Sequence, residues 1–407
     1  MYSAVRALKE AGAEVTVLAL GPSLQNGNKT EDFHIQHLKN DLGIRFEIIS
    51  QSPRIKNKKK NFLKHFFPSE IDLLPAIQNR SLVSAKLDEL KPDGILAYHW
   101  DALASVYQLY NAPKLGLVGD PMHLPQLFRK ELNSRYKMDS LRLEMRGSFR
   151  DFIRTPQQIK LMQKLMNDCD QSGAFAAHHS EMFQELGVKN CHYFRTPTPD
   201  PITLDSSKYL KSKKLKILHI GHLQGIATLS GVELIANEIL PILDQKLGQN
   251  GFEIHLVGGY FDLIPEGLKK KLLHPSVKIR GQINPPDSEF FSSHLILVPT
   301  PIELGIRVRI ITAFSFGTCI VAHIANKKGI PELNHLENAM LGSSGEELAA
   351  HCLEVFKNPS LRENLEKESR NTYEKYFALD VAGKAISDAL QSLVRERKDF
   401  NSSPVTN

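Results

Sequence analysis

Residues 299–317 read PTPIELGIRVRIITAFSFG and follow directly on the apolar run LILV at 295–298. That run is short and uninterrupted, the pattern of a strand buried on both faces in a parallel sheet. The prolines and Gly305 then mark a loop. From Arg307 onward Val308, Ile310, Ile311, Ala313 and Phe314 recur at helical spacing, and Gly317 is suited to end the helix. A strand, a loop carrying Glu303, and a helix whose first turn carries Arg307 and Arg309 together suit an anion. A helix start offers free N–H groups and partial positive charge, and guanidiniums add forked donors for phosphate oxygens. A surface loop with two solvated arginines gives the same letters, so the flanking segments have to decide between the two.

Outward from this stretch the alternation repeats. KILHIGH at 216–222, EIHLVGGY at 253–260 and VKIRG at 277–281 precede it, and CIVAH at 319–323 follows. Helical patterns at 229–247, 266–273 and 345–357 lie among them, so residues 204–378 are expected to form a doubly wound α/β domain of five strands. No GxGxxG occurs, and the pair Gly258 and Gly259 closes one strand. The segment RTPTPDPITLDSSKYLKSKK at 195–214 is the best linker in the chain.

Before the linker, residues 1–203 read as a first α/β domain. GAEVTVLAL at 12–20, a strand near 46–49, GILAYHW at 94–100 and KLGLVGDPMH at 114–123 supply strands. A helical stretch at 136–167 and GAFAAHHSEMFQELGV, with a helix near Ser180, complete it. In a parallel sheet, ligands lie beyond the carboxyl ends of the strands, which makes His99, Asp120 and His123 candidate site residues. The domain opens on a helix, YSAVRALKE, without the strand and glycine turn that begin a doubly wound sheet, so it is expected to lack its first strand. Met1 is on that ground expected to be an internal methionine of the natural chain. A helix at 379–398 is expected to pack back on the first domain, with a disordered polar tail at 399–407.

A length of 407 residues fits two or three domains, and a 42% hydrophobic share excludes wholesale disorder. The net charge of +6 favours anionic partners. Cys169, Cys191, Cys319 and Cys352 show no CxxC spacing and read as reduced core thiols of a cytoplasmic protein. No apolar run is expected to approach the roughly 20 residues that span a bilayer. PRIKNKKKNFLKHFF at 53–67 interleaves lysines with aromatics, which suits either peripheral contact with an anionic membrane surface or a solvated loop. Basic residues are not otherwise interleaved with stacking aromatics, which argues against nucleic acid. No DxD-type pair stands at a strand end, so neither metal nor cofactor is expected.

The order and spacing of the second-domain segments, from KILHIGHLQGIATLSGVELIANEILPIL through LILVPTPIELGIRVRIITAFSFGTCIVAH to GIPELNHLENAMLGSSGEELAAHCLEVFKNPSLRENL, resemble the GT-B glycosyltransferases, and family four most closely. The resemblance implies two Rossmann-like domains facing a central cleft. It implies transfer of a sugar from a nucleotide diphosphate sugar, held by the second domain, to a glycan or lipid-linked acceptor held by the first, with retention. Glu303 occupies the place of the family's donor-sugar carboxylate, beside Leu304, Gly305 and Ile306. Where the family's helix carries a second, ribose-holding Glu, this chain has Ile311 and Thr312. After the first strand's Gly, here Gly221, the family's Arg is replaced by His222 and its Lys by Ser230. Arg307, Arg309 and His222 are then expected to stabilise the leaving diphosphate, with Gly258 at the donor. The first-domain His of many members is matched by Gly119, with Asp120 as a catalytic candidate and His99 and His123 on the acceptor side. The alternative is a degenerate GT-B protein that binds a nucleotide sugar, glycan or partner without transfer.

Overall fold

A computed structural model describes residues 2–21, 40–50, 69–109, 112–136, 141–201, 211–223 and 225–402. The chain divides into two units. The first comprises Met1–Gln126, Asp139–Phe194 and Ala382–Asn407; the second comprises Leu127–Met138 and Arg195–Val381.

In the first unit β1 (Thr16–Gly21) pairs with β2 (Arg45–Ser50) in a sheet of two. A separate sheet holds β3 (Ile95–Tyr98), β4 (Lys114–Val118), β5 (Gln171–Ala174) and β6 (Cys191–Tyr193) in that order. All these pairs are parallel. Written as β2-β1 and β3-β4-β5-β6, this is a doubly wound order interrupted at its centre, between β1 and β3, where no strand stands among the described residues. One core nevertheless serves both sheets: Leu18, Leu20 and Ile49 pack in the same cluster as Ile95, Ala97, Trp100 and Leu103. The helix Tyr2–Glu10 buries Ala4, Val5, Ala7 and Leu8. The helix Lys384–Ser402 packs against it and against β4. At Gly94 any side chain would collide with that helix, a methyl group lying 2.8 Å from Val394 Cγ2.

The second unit is built on one parallel sheet of β7 (Leu215–Ile220), β8 (Phe252–Val257), β9 (Val277–Gly281), β10 (Leu295–Val298), β11 (Ile320–His323) and β12 (Met340–Gly342). Its order is β12-β11-β10-β7-β8-β9, so the winding reverses between β7 and β10. All four residues of β10 are buried, as its unbroken apolar letters require. The helical segment Ile226–Leu247, which includes a π-turn at Ile235–Ile239, sinks Leu229, Val232, Ile235, Ile239 and Leu243 into the core. By length and composition this segment could cross a membrane, which corrects the expectation that no apolar stretch approaches that length. Its residues are mostly inside the unit, as in a core helix.

Several boundaries also move. The second unit has a sixth strand, β12, and the first an additional β6; both are three-residue edge strands with too little apolar signal to stand out. The strand expected through Trp100 stops at Tyr98, because His99 adopts φ 80° and starts the helix Trp100–Val106. The helix placed near Ser180 begins at Ala177. The last helix runs to Ser402, past the expected end at 398. Residues 53–67, proposed for membrane contact, and 202–210 of the linker lie outside the described residues. All four cysteines are free and buried. Burial raises the Cys169, Cys191 and Cys319 thiols to about 12, about 11 and about 12, and raises that of Cys352 as well.

Candidate functional site

The reversal of strand order leaves a crevice beyond the carboxyl ends of β7 and β10, where an open α/β sheet takes its ligands. A cavity of about 330 Å³ lies there in the second unit. Its apolar wall is Ile220, Pro286, Phe290, Ile306 and Val308, with Gly221 at the end of β7. Arg307, Arg309 and Thr312 supply its polar side chains. The helix there is Val308–Ser315, with Arg307 as an extended N-cap residue and no side chain capping its first turn.

Arg309 is the centre of the arrangement. Its Nη1 donates to the Ile220 carbonyl at 2.6 Å and its Nη2 to Thr228 Oγ1 at 3.2 Å, so it reaches from the β10 side to the end of β7. Burial, and then the charge of Arg307, lower its pKa to about 9, which leaves it cationic at neutral pH. Among the described residues no carboxylate pairs with it. A desolvated cation with only neutral oxygen partners is costly until an anion joins it. Beneath it, His219 is fully buried, with Nδ1 2.9 Å from the Leu297 carbonyl; burial, then Arg309, lower its pKa to about 3 and keep it neutral.

Two glycines make the approach possible. Gly221 has φ 152°, and a methyl group there would lie 2.6 Å from Arg309 Nη1. Gly258, at φ 151°, faces the Gly221 carbonyl so closely that any Cβ would overlap it. The backbones after β7 and β8 therefore touch, and only glycine fits.

The remaining sequence candidates fall outside the cavity lining. His222 is exposed and packs at a tilt against Tyr260, ring centroids 4.4 Å apart. Glu303 is exposed and ion-paired with Lys328 at 2.8 Å. Leu304 is buried, and Gly305 takes the left-handed φ of 62° that turns the loop. Ser230, buried, gives its hydroxyl to the Ala227 carbonyl inside the helix. In the first unit, the ends of β3 and β4 meet: a methyl at Gly119 would lie 4.0 Å from His99 Nε2, and Trp100 Nε1 donates to the Asp120 carbonyl at 2.8 Å. The Asp120 carboxylate lies 3.9 Å from Nδ1 of the buried His179. His123 is buried, and desolvation lowers its pKa. Thr228, Tyr260, Lys328 and His179 were not legible from sequence, because each meets a candidate residue of its own unit through a contact between distant segments.

Comparison with known proteins bears on the fold. Residues 214–358 match the family model of the glycosyl transferases group 1. No curated protein sequence matches the chain. Among solved structures, sucrose-phosphate synthase from Thermosynechococcus elongatus superposes with TM-score 0.65 at 15% identity, covering 98% of this chain and 92% of that one. Anabaena HepE, solved with UDP and glucose, gives 0.62 at 14% identity, covering 92% and 99%. WaaG, a glycosyltransferase involved in lipopolysaccharide biosynthesis, gives 0.57 at 12% identity, covering 95% and 94%. The chain therefore has the GT-B fold, and its residues 214–358 are similar to the glycosyl transferases group 1 family.

Proposed function

We propose that the protein transfers a sugar from a nucleoside diphosphate sugar to a glycan or lipid-linked acceptor in cell-surface polysaccharide synthesis, with retention at the sugar carbon. The observation that carries this reading is the half-buried Arg309 guanidinium reaching the end of β7, without an acidic partner among the described residues and lining a cavity with Arg307. In transfer, the acceptor oxygen bonds to the sugar C1 while the C1–O bond to the diphosphate breaks and its electron pair stays on the phosphate. Negative charge develops there, and a preorganised donor or cation is worth about 3 to 4 kcal/mol. Arg309 and Arg307 supply it from the helix start after β10, since His222 packs against Tyr260 and Ser230 is spent within its helix. On the retaining path the departing phosphate oxygen takes the acceptor's proton, and no strong protein base is required. Glu303 meets the donor sugar, and the ion pair with Lys328 positions it. Asp120, His99 and His123 form the acceptor side. The HepE complex with UDP and glucose and the role of WaaG in lipopolysaccharide biosynthesis support this substrate class. We place the protein in the cytoplasm, with membrane contact through 53–67, on the sequence of that segment alone.

Release of nucleoside diphosphate from UDP-glucose, UDP-N-acetylglucosamine or GDP-mannose tests the reading. Turnover is expected, and Arg309→Ala should lower it at least tenfold. An unchanged rate in the variant would remove Arg309 from the chemistry. The buried Ser230 and outward His222, at positions where the family has cations, favour a second reading: a binding protein without transfer. Tight binding of a donor without any release of diphosphate would select it.

A further inference from the structure

The cavity beyond β7 is chemically one-sided. Its polar side chains are two guanidiniums and one hydroxyl, and the rest of its wall is hydrocarbon or glycine. No carboxylate or amide side chain stands among the described residues that line it. The hydroxyl is neutral and shared: Thr312 Oγ1 donates to the Val308 carbonyl at 3.1 Å, which leaves its lone pairs as the one side-chain acceptor among the described lining residues. Ile311, next to it, is 1% exposed and packs into the core with Ile296, Val298 and Phe314, so this turn of helix gives the cavity no further acceptor.

The two ends of a nucleoside diphosphate make opposite demands. The diphosphate offers acceptors only, which guanidiniums match in charge and geometry. The ribose diol offers two O–H donors, and a site that selects for it must present acceptors, of which a carboxylate is the strongest. The first demand is met by two cations, the second by one neutral hydroxyl at most. We propose that this site holds its donor by the diphosphate and leaves the ribose hydroxyls unread, so that ribonucleoside and dideoxyribonucleoside diphosphates bind alike. This rests on the donor-site reading above and concerns which part of the donor gives affinity. A site built to hydrogen-bond a hydroxyl strongly rejects the analogue lacking it; a site whose one acceptor is a neutral hydroxyl already tied to its own helix discriminates little.

The test is calorimetric titration of the full chain with UDP, GDP and their 2′,3′-dideoxy forms. For whichever base binds, the dideoxy form should bind within fivefold of the ribo form. Arg309→Gln and Arg309→Lys should weaken both forms by the same factor, tenfold or more for Gln, in protein whose thermal unfolding is first compared with the parent. The ribo-to-dideoxy ratio is read on the unaltered protein and does not depend on either variant folding. A loss of more than fivefold on removing the hydroxyls overturns the proposal and leaves the donor reading standing. Failure of both ribonucleotides to bind removes the donor reading, and the proposal with it.

Discussion

The two units solve one folding problem differently. In the second, β7 and β10 meet at the centre of a continuous sheet, and Leu295 to Val298 are shielded on every side. In the first, the equivalent middle is interrupted, and β1 keeps Val17, Leu18 and Leu20 half-exposed beside a core that already holds Ile95 and Ala97. Both follow the same winding, so topology alone does not set how firmly a strand is held. A strand with ladder partners on both edges and helices on both faces gains from every side chain; one with a single partner leaves part of its apolar surface in water. The cavity beyond β7 sits on the better-supported frame, where a cation such as Arg309 can be held without a counter-charge.

This contrast can be broken by measurement. Leu297→Ala, in the fully shielded β10, should destabilise by about 2 to 5 kcal/mol in urea unfolding, whereas Leu18→Ala in β1 should cost only about 1 kcal/mol. Equal losses would mean that the interruption beside β1 has no energetic consequence. Gly258→Ala tests the backbone contact between β7 and β8. Its Cβ would overlap the Gly221 carbonyl at an unfavourable φ of 151°, for an expected loss of roughly 2 to 3 kcal/mol together with loss of diphosphate binding. A stable variant with intact binding would show that the two loops can separate freely.

Acid gives a smaller effect that belongs to the second unit. Glu289 lies 2.9 Å from His255 Nδ1, 3.0 Å from Lys216 Nζ and 3.2 Å from Arg280 Nε, and the hydrogen bond with His255, then that from Lys216, hold its carboxyl at about 2 instead of 4.5. Neutral His219 sits at about 3 instead of 6.5. Both folded values lie below the unfolded ones, so the unfolded state binds more protons in acid and stability falls as the pH is lowered. The decline should begin near pH 6.5 through His219 and steepen below about 4.5 through Glu289. Urea midpoints between pH 7 and 4 should therefore drop, and His219→Gln should flatten the first part of the slope. A slope unchanged in that variant would assign the acid sensitivity elsewhere.

Much of this was written in the sequence, for a physical reason. Strands buried on both faces leave unbroken apolar runs, so β7, β8, β10 and β11 could be read directly from their letters. The edge strands β6 and β12 could not, because three residues with one neighbour carry no such run. Residues 307–312 were recognisable as a cationic helix start, yet the sequence did not tell Arg307 at the N-cap from Arg309 spanning to the Ile220 carbonyl. That difference depends on β7, some ninety positions earlier in the chain. Lys328 beside Glu303 and His179 beside Asp120 are of the same kind: pairs made by the fold from segments with no local signature.

The buried thiols give each unit its own clock. Cys169 and Cys191 lie in the first unit, and Cys319 and Cys352 in the second. All four are shielded and held in the unreactive thiol form, so an alkylating reagent can reach them only through opening motions. The order in which the pairs become labelled under native conditions reports which unit opens first. On the packing described, the pair beside the interrupted sheet should be tagged ahead of the pair behind β11.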